Sequence, residues 1–263
     1  MIDFTKKFEK LKNQTHTIHC LVSPLVANDV ANVLLSLNQA PFMAEYKNEV
    51  YEVTQNSDAL LINLGTLNES KLAGIGEAIG SAKKNKVPII LDPVGASATS
   101  VRLQAATHYL KKYPVSVLKG NYSELYSIYH QELSTRGVDS HEIERDEIVE
   151  ICKSLSSMYN TVVVATGKDD VIFDGDEVLV LQNGCKELSK ITGTGCIVGS
   201  LIAAAISFEK SVEMIALAIS ILNISSELAD KNKGMASFKI SLFDEISLID
   251  AKTINERIAY EKL

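Results

Sequence analysis

Residues 87–95 read Val-Pro-Ile-Ile-Leu-Asp-Pro-Val-Gly. A short apolar run ends in a carboxylate, and Pro93 then blocks further strand pairing because it has no N–H to donate. A strand that is apolar on successive residues is covered on both faces, as in parallel sheets flanked by helices. The same unit recurs on either side. Upstream, Ala59–Leu64 is a second apolar run, ending at Gly65, and Ser70–Lys84 between the two has helical period. Thr17–Val22 and the amphipathic Val26–Leu37 precede them as a strand and a helix. Downstream, Val101–Leu110 reads as a helix, Val115–Leu118 as a strand and Ser123–Tyr129 as a helix. After a looser polar connection over His130–Ser140, the pattern resumes with helix Ile143–Met158 and the β-branched strand Thr161–Ala165. Val171–Phe173 and Glu177–Leu181 flank Asp174-Gly175-Asp176, a hairpin signal. Three helices close the chain, near 196–208, 211–230 and 241–248.

Strands alternating with helices predict an α/β fold, a mostly parallel central sheet with helices on both faces and an antiparallel edge hairpin. No internal repeat, low-complexity segment or shift in composition interrupts the chain, so residues 1–263 are expected to form a single domain. At 46% hydrophobic residues the sequence can bury a large core, and its net charge of −7 argues against a general nucleic-acid binder. The longest apolar run, near Ile197–Ile206, is too short to span a bilayer. Met1–Asn13 is charged and amphipathic and lacks the apolar centre of a signal peptide. Cys20, Cys152, Cys185 and Cys196 show no metal-ligand spacing and are expected to stay reduced. A soluble cytoplasmic protein is the expectation.

In open parallel sheets, ligands bind beyond the carboxyl ends of the strands, and the polar motifs fall there. Residues 191–199, Ile-Thr-Gly-Thr-Gly-Cys-Ile-Val-Gly, form a Gly-rich turn feeding an apolar helix. Gly193 and Gly195 can take positive φ, and the N–H groups of Gly193, Thr194, Gly195 and Cys196 can converge on an anion at a helix N-terminus. Cys196 falls on the first turn, where the helix dipole is expected to lower its pKa from about 8.5. An ordinary Gly-rich turn with Cys196 as a buried filler would give the same letters. Asp92 reads either as a turn carboxylate or as a group that organises a metal near phosphates; Mg2+ needs only one or two protein carboxylates. In Lys119-Gly120-Asn121-Tyr122-Ser123-Glu124, Asn121 and Glu124 have capping-box spacing. Glu124 can also stand near Mg2+, and Lys119 can face a phosphate. Thr166-Gly167-Lys168-Asp169-Asp170 is a tight turn whose hydroxyl can bond a nucleotide phosphate. Met43, in Pro41-Phe42-Met43-Ala44, is read as lying in a loop, either packed in the core or lining a flat apolar pocket.

The order of these motifs, from Ala31-Asn32-x-Leu34-Leu35 and Pro41-x-Met43-Ala44 through Leu61-Ile62-Asn63-x-Gly65-Thr66-Leu67, Leu91-Asp92-Pro93-Val94-Gly95-Ala96 and Leu118-Lys119-Gly120-Asn121 to Thr192-Gly193-Thr194-Gly195-Cys196, resembles hydroxyethylthiazole kinase over nearly the whole chain. That family is a thiamine-salvage branch of the ribokinase-like superfamily. The resemblance implies transfer of the γ-phosphoryl group of ATP to the primary alcohol of 4-methyl-5-(2-hydroxyethyl)thiazole with Mg2+, in a homotrimer whose pockets lie at subunit interfaces. It further implies that Met43 and Gly193 contact the thiazole, that Lys119 and Thr166 contact ATP, and that Asp92 and Glu124 organise Mg2+. Cys196 falls where sugar kinases of the superfamily carry an Asp base, so the resemblance makes it the catalytic residue. The chain departs from the family pattern at Ser23-Pro24, at Asn38-Gln39 and at Lys119, where relatives often carry Arg. A same-fold kinase for another small alcohol such as hydroxymethylpyrimidine, a dehydratase for hydrated nicotinamide cofactors, and a non-catalytic nucleotide or thiazole sensor are the competing readings.

Overall fold

The computed structural model describes residues 2–133 and 143–263. Most of the polar connection expected over His130–Ser140 lies outside the described residues. One sheet of nine strands organises the molecule, in the order β2-β1-β3-β4-β5-β6-β7-β8-β9. Its parallel part comprises β2 (Ala40–Phe42), β1 (Thr17–Leu21), β3 (Ala59–Asn63), β4 (Ile89–Asp92), β5 (Val117–Asn121) and β6 (Val162–Thr166). Between β1 and β3 the strand order reverses direction along the sheet, the kind of switch point at which α/β folds open a ligand crevice. The antiparallel edge is β7 (Asp170–Phe173), β8 (Val178–Leu181) and β9 (Tyr260–Lys262). The expected hairpin is the β7–β8 turn, where the Asp174 carboxylate accepts from Asp176 N–H (3.1 Å) and Glu177 N–H (3.0 Å) and Gly175 takes φ +114°.

Alternation along each strand divides the apolar residues between two cores. Leu61, Val117 and Val164 point to one face, and Leu60, Ile62, Leu118 and Val163 to the other. The first face is covered by α1 (Thr5–Asn13), α2 (Ala27–Ser36), α8 (Thr194–Phe208), α9 (Val212–Leu228), α10 (Met235–Leu248) and α11 (Ala251–Arg257). The second is covered by α3 (Val50–Gln55), α4 (Glu69–Asn85), α5 (Ser100–Lys112), α6 (Tyr122–His130) and α7 (Arg145–Tyr159). α8 is apolar nearly all round because it lies between the sheet and other helices; Ile197 to Ile206 are buried without a break. Among the described residues no helix is long and apolar enough to cross a membrane.

Several elements differ from the sequence reading. Pro41 and Phe42 belong to β2 and not to a loop, because an edge strand tolerates a proline whose missing N–H faces outward. α3, α11 and β9 are additional; each is too short to show a period. The chain ends on a strand and not on the third of three helices.

Leu61 is fully buried on β3, and a Cβ placed on Gly199 of α8 would lie 3.3 Å from its Cδ1. Leu61→Ala opens a cavity where α8 packs on the sheet. Its unfolding free energy in urea is expected to fall by about 2–5 kcal/mol.

Candidate active site

The parallel strands all end at one edge of the sheet, and β3 to β6 each place a polar residue there. Asn63 and Asp92 are register partners at the ends of β3 and β4, and Asn121 and Thr166 at the ends of β5 and β6. Against this row stands the N-terminus of α8. Its ladder begins with Ile197 N–H donating to the Gly193 carbonyl at 2.9 Å, which leaves the N–H groups of Thr194, Gly195 and Cys196 outside it. Gly193 takes φ +98°, and a Cβ there would meet Val26 Cγ1 at 2.8 Å, so both backbone conformation and close approach require glycine. Gly195, expected to share the positive φ, is instead helical. Its bare Cα serves another purpose: a Cβ would lie 3.2 Å from Lys119 Nζ. One turn further on, a Cβ on Gly199 would lie 3.6 Å from Asp92 Oδ2. The two glycines form a stripe, four residues apart, along which the charged side chains of β4 and β5 lie flat against the helix.

Those charges are buried. Lys119 Nζ pairs with Asp92 Oδ1 at 3.3 Å, with both side chains nearly inaccessible. Asn63 Nδ2 donates to Asp92 Oδ2 at 2.8 Å and to Cys196 Sγ at 3.2 Å. Burial pushes the Asp92 carboxyl up from the ordinary carboxylate range, opposed by the Lys119 ammonium and the Asn63 amide. Burial also works against the Lys119 ammonium, but the charges of Asp92 and Glu124 hold it above the usual lysine value. Asn121 and Glu124 form the expected capping box at the start of α6. Glu124 does more than cap. Its Oε2 accepts from Asn121 N–H (2.9 Å), and its Oε1 accepts from Gly95 N–H (2.8 Å) in the turn after β4. Burial raises its carboxyl, and the charge of Asp92 adds to the effect.

Cys196 sits on the first turn of α8, as expected, but its chemistry differs from the expectation. Burial pushes the thiol up to about 11, and the Asp92 charge adds to burial; Lys119 and the Asn63 amide only partly offset them. The dipole of a helix N-terminus is outweighed by the loss of water and by a neighbouring carboxylate. Cys196 is a thiol at neutral pH and not a thiolate.

Of the other predicted residues, Thr166 is half-buried at the end of β6, with its hydroxyl 3.4 Å from the Gly120 carbonyl. Met43 directly follows β2 and packs, half-buried, on the same core cluster as Cys196. Asp92, Lys119, Glu124, Gly195 and Cys196 therefore form one cluster, with Thr166 one strand beyond it and Met43 at the opposite edge. Sequence reasoning singled out neither Asn63, Lys71 nor Arg102. Asn63 carried the same signal as Asp92, a polar residue closing an apolar strand run. Arg102 holds the turn after β4 by donating to the Val94 carbonyl at 3.0 Å, and nothing in its helical context marks it. Lys71 looks like a solvated helix residue but is buried.

Among the described residues no group of three or more His, Cys, Asp or Glu side chains could hold a metal ion. Both carboxylates at the site already accept hydrogen bonds from protein donors. Such a pair fits a Mg2+ that keeps its own waters and takes few protein ligands, and Asp92 and Glu124 would face it through those waters.

Similarity to known proteins agrees with this geometry. The pyridoxal kinase of Staphylococcus aureus in complex with ADP superposes with a TM-score of 0.68 over 95% of this chain and 100% of its own, at 13% identity. The fold is thus that of the ribokinase-like and pyridoxal kinases. A hydroxyethylthiazole kinase structure from Pyrococcus horikoshii OT3 matches with a TM-score of 0.90 at 28% identity, covering 99% of this chain and 98% of that one. The hydroxyethylthiazole kinase of Finegoldia magna is 43% identical over 256 residues, 97% of this chain and 95% of that protein. The model of the hydroxyethylthiazole kinase family matches residues 8–252, and the chain belongs to that family.

The Cys196 titration is directly measurable. The thiolate absorbance difference between the wild type and Cys196→Ser is expected to be absent near about pH 8 and to grow only toward the strongly alkaline range. A Cys196 thiolate already formed near neutrality would contradict the electrostatic account.

Proposed function

We propose that this chain transfers the γ-phosphoryl group of ATP to the primary alcohol of 4-methyl-5-(2-hydroxyethyl)thiazole, with Cys196 at the acceptor oxygen. The observation that carries the assignment is the buried Asp92–Lys119 pair set against the open N-terminus of α8, with the Cys196 sulfur beside it. Phosphoryl transfer asks for alignment and charge stabilisation more than for covalent chemistry. The N–H groups of residues 194–196 are donors aimed at an anion, and Lys119 lies within reach of the same helix turn.

The row of strand ends divides donor from acceptor. Met43 after β2 and Thr166 after β6 are five strand spacings apart, or about 24 Å. Gly193 lies on the β1 side, against Val26. In this reading the thiazole occupies the β2–β1 side, near Met43 and Gly193. ATP occupies the β5–β6 side, near Lys119 and Thr166, and the cluster between them receives the moving phosphoryl group. Asp92 and Glu124 would steady Mg2+, which when bound neutralises charge on the phosphate oxygens. Because Cys196 keeps its proton at neutral pH, it orients the acceptor hydroxyl through hydrogen bonding and does not remove the proton before transfer. The family pattern of a homotrimer with pockets at subunit interfaces is supported by the β2 edge. Phe42 and Tyr46 are exposed beside Met43, and β2 pairs with a strand on one side only. The reading treats residues 1–263 as one catalytic unit acting in the cytoplasm.

Cys196→Ser tests the assignment. Purified variant and wild type are compared for ATP-dependent formation of thiazole phosphate. The expected result is a kcat lower by about 10²-fold with KM for the alcohol changed little. An unchanged kcat would remove Cys196 from the reaction. Turnover of hydroxymethylpyrimidine, or of no alcohol at all, would replace the substrate assignment.

A further inference from the structure

Lys71 is the third residue of α4, yet its side chain is only 2% exposed. An ammonium turned inward loses its water, and a surface helix offers an easy outward direction, so the inward position calls for a compensating contact. That contact is a hydrogen bond from Nζ to the Gly65 carbonyl at 2.9 Å. The nearest carboxylate, Glu45, is 3.9 Å away, is itself partly exposed, and lies on the segment that follows Met43. α4 presses directly on this segment: a Cβ on Gly74 would come within 2.7 Å of the Glu45 carbonyl.

From Gly65 the contacts continue into the site. Gly65 N–H donates to Asn63 Oδ1 at 2.9 Å. With its oxygen occupied there, the Asn63 amide must present Nδ2 in the other direction, where it meets Asp92 Oδ2 and Cys196 Sγ. A flipped amide would set its oxygen against the Asp92 carboxylate and leave Gly65 N–H facing a donor. The fully buried Asn63 is therefore locked by three hydrogen bonds, and Lys71 anchors the turn that locks it. Burial lowers the Lys71 pKa from the ordinary lysine value, and the charge of Glu45 opposes the change.

We infer that Lys71 and Asn63 are positioning residues that act in series: Lys71 fixes the Gly65 turn, the turn fixes the Asn63 amide, and the amide sets the Cys196 sulfur relative to Asp92. The inference rests on the reading of Cys196 as the residue at the acceptor oxygen. Neither side chain needs to touch substrate. Their effect reaches the reaction through the position of the sulfur, so it appears in kcat and spares substrate affinity.

The test compares Lys71→Met, Lys71→Arg and Lys71→Gln by steady-state kinetics with the thiazole alcohol and ATP-Mg, each alone and in the Cys196→Ser background. Lys71→Met is expected to lower kcat by about 10–100-fold with both KM values within about threefold. Lys71→Arg, which can still donate to the Gly65 carbonyl, is expected to recover most of the loss. In the Cys196→Ser background Lys71→Met is expected to add nothing further, because residues acting through one group are not additive. If Lys71→Met does not fold, Lys71→Gln carries the test: its shorter side chain stops short of the Gly65 carbonyl, and it is expected to lower kcat in the same way. Unchanged kcat in either variant, or a full additional loss on top of Cys196→Ser, overturns the relay. If Cys196→Ser itself retains full kcat, it is the assignment of Cys196 that fails.

Discussion

The arrangement depends on one buried ion pair. Asp92 and Lys119 lie on neighbouring strands of the sheet centre, away from water, and neither charge is tolerable there without the other. Their mutual need fixes how the sheet and α8 meet. A side chain at position 195 would press on Lys119 Nζ, and one at 199 would press on Leu61 and reach contact distance of Asp92, so larger residues at either place would push the helix off the pair. Two glycines one turn apart allow the helix N-terminus to settle over the pair. The N-terminal end of the helix is thereby held against the ends of β4 and β5.

The same constraint explains the chemistry of the neighbours. Asn63 is held between the Asp92 carboxylate and the Cys196 sulfur, so the position of the sulfur is tied to the ion pair. Glu124 links the turn after β4 to the start of α6 through two backbone N–H groups. Burial makes Asp92, Glu124 and Cys196 all harder to ionise, the Asp92 charge adds to this at Glu124 and Cys196, and the Cys196 thiol keeps its proton. In the proposed transfer a strong base would not be required of Cys196, because bond making to the acceptor lags behind bond breaking.

Much of this was legible in the chain. The parallel strands and their order of helices follow from apolar runs with turn residues at their ends, and the capping box of α6 from the spacing of Asn121 and Glu124 alone. The hairpin followed from Asp174-Gly175-Asp176. What escaped was of two kinds. Elements of three to seven residues, such as β2, α3, α11 and β9, are too short to carry a period and exist because the sheet edges and helices around them leave a place to fill. Properties set by burial escaped as well. The sequence shows a cysteine on a first helical turn, for which the dipole argument predicts a low pKa. Only the surrounding packing reveals that the thiol is partly buried and that Asp92 is adjacent. Lys71 escaped for the same reason, since its direction into the protein is decided by Gly65 and not by any local pattern.

The claim that Asp92 and Lys119 exist for each other is tested most directly by a double-mutant cycle in equilibrium unfolding, with Asp92→Asn, Lys119→Met and the two combined. Each single variant leaves an unpaired buried charge and is expected to lose about 3–5 kcal/mol. The double variant is expected to lose clearly less than their sum, with a coupling of about 2 kcal/mol or more. Losses that simply add would mean that the two charges do not stabilise each other, and the account of how α8 is seated on the sheet would fall.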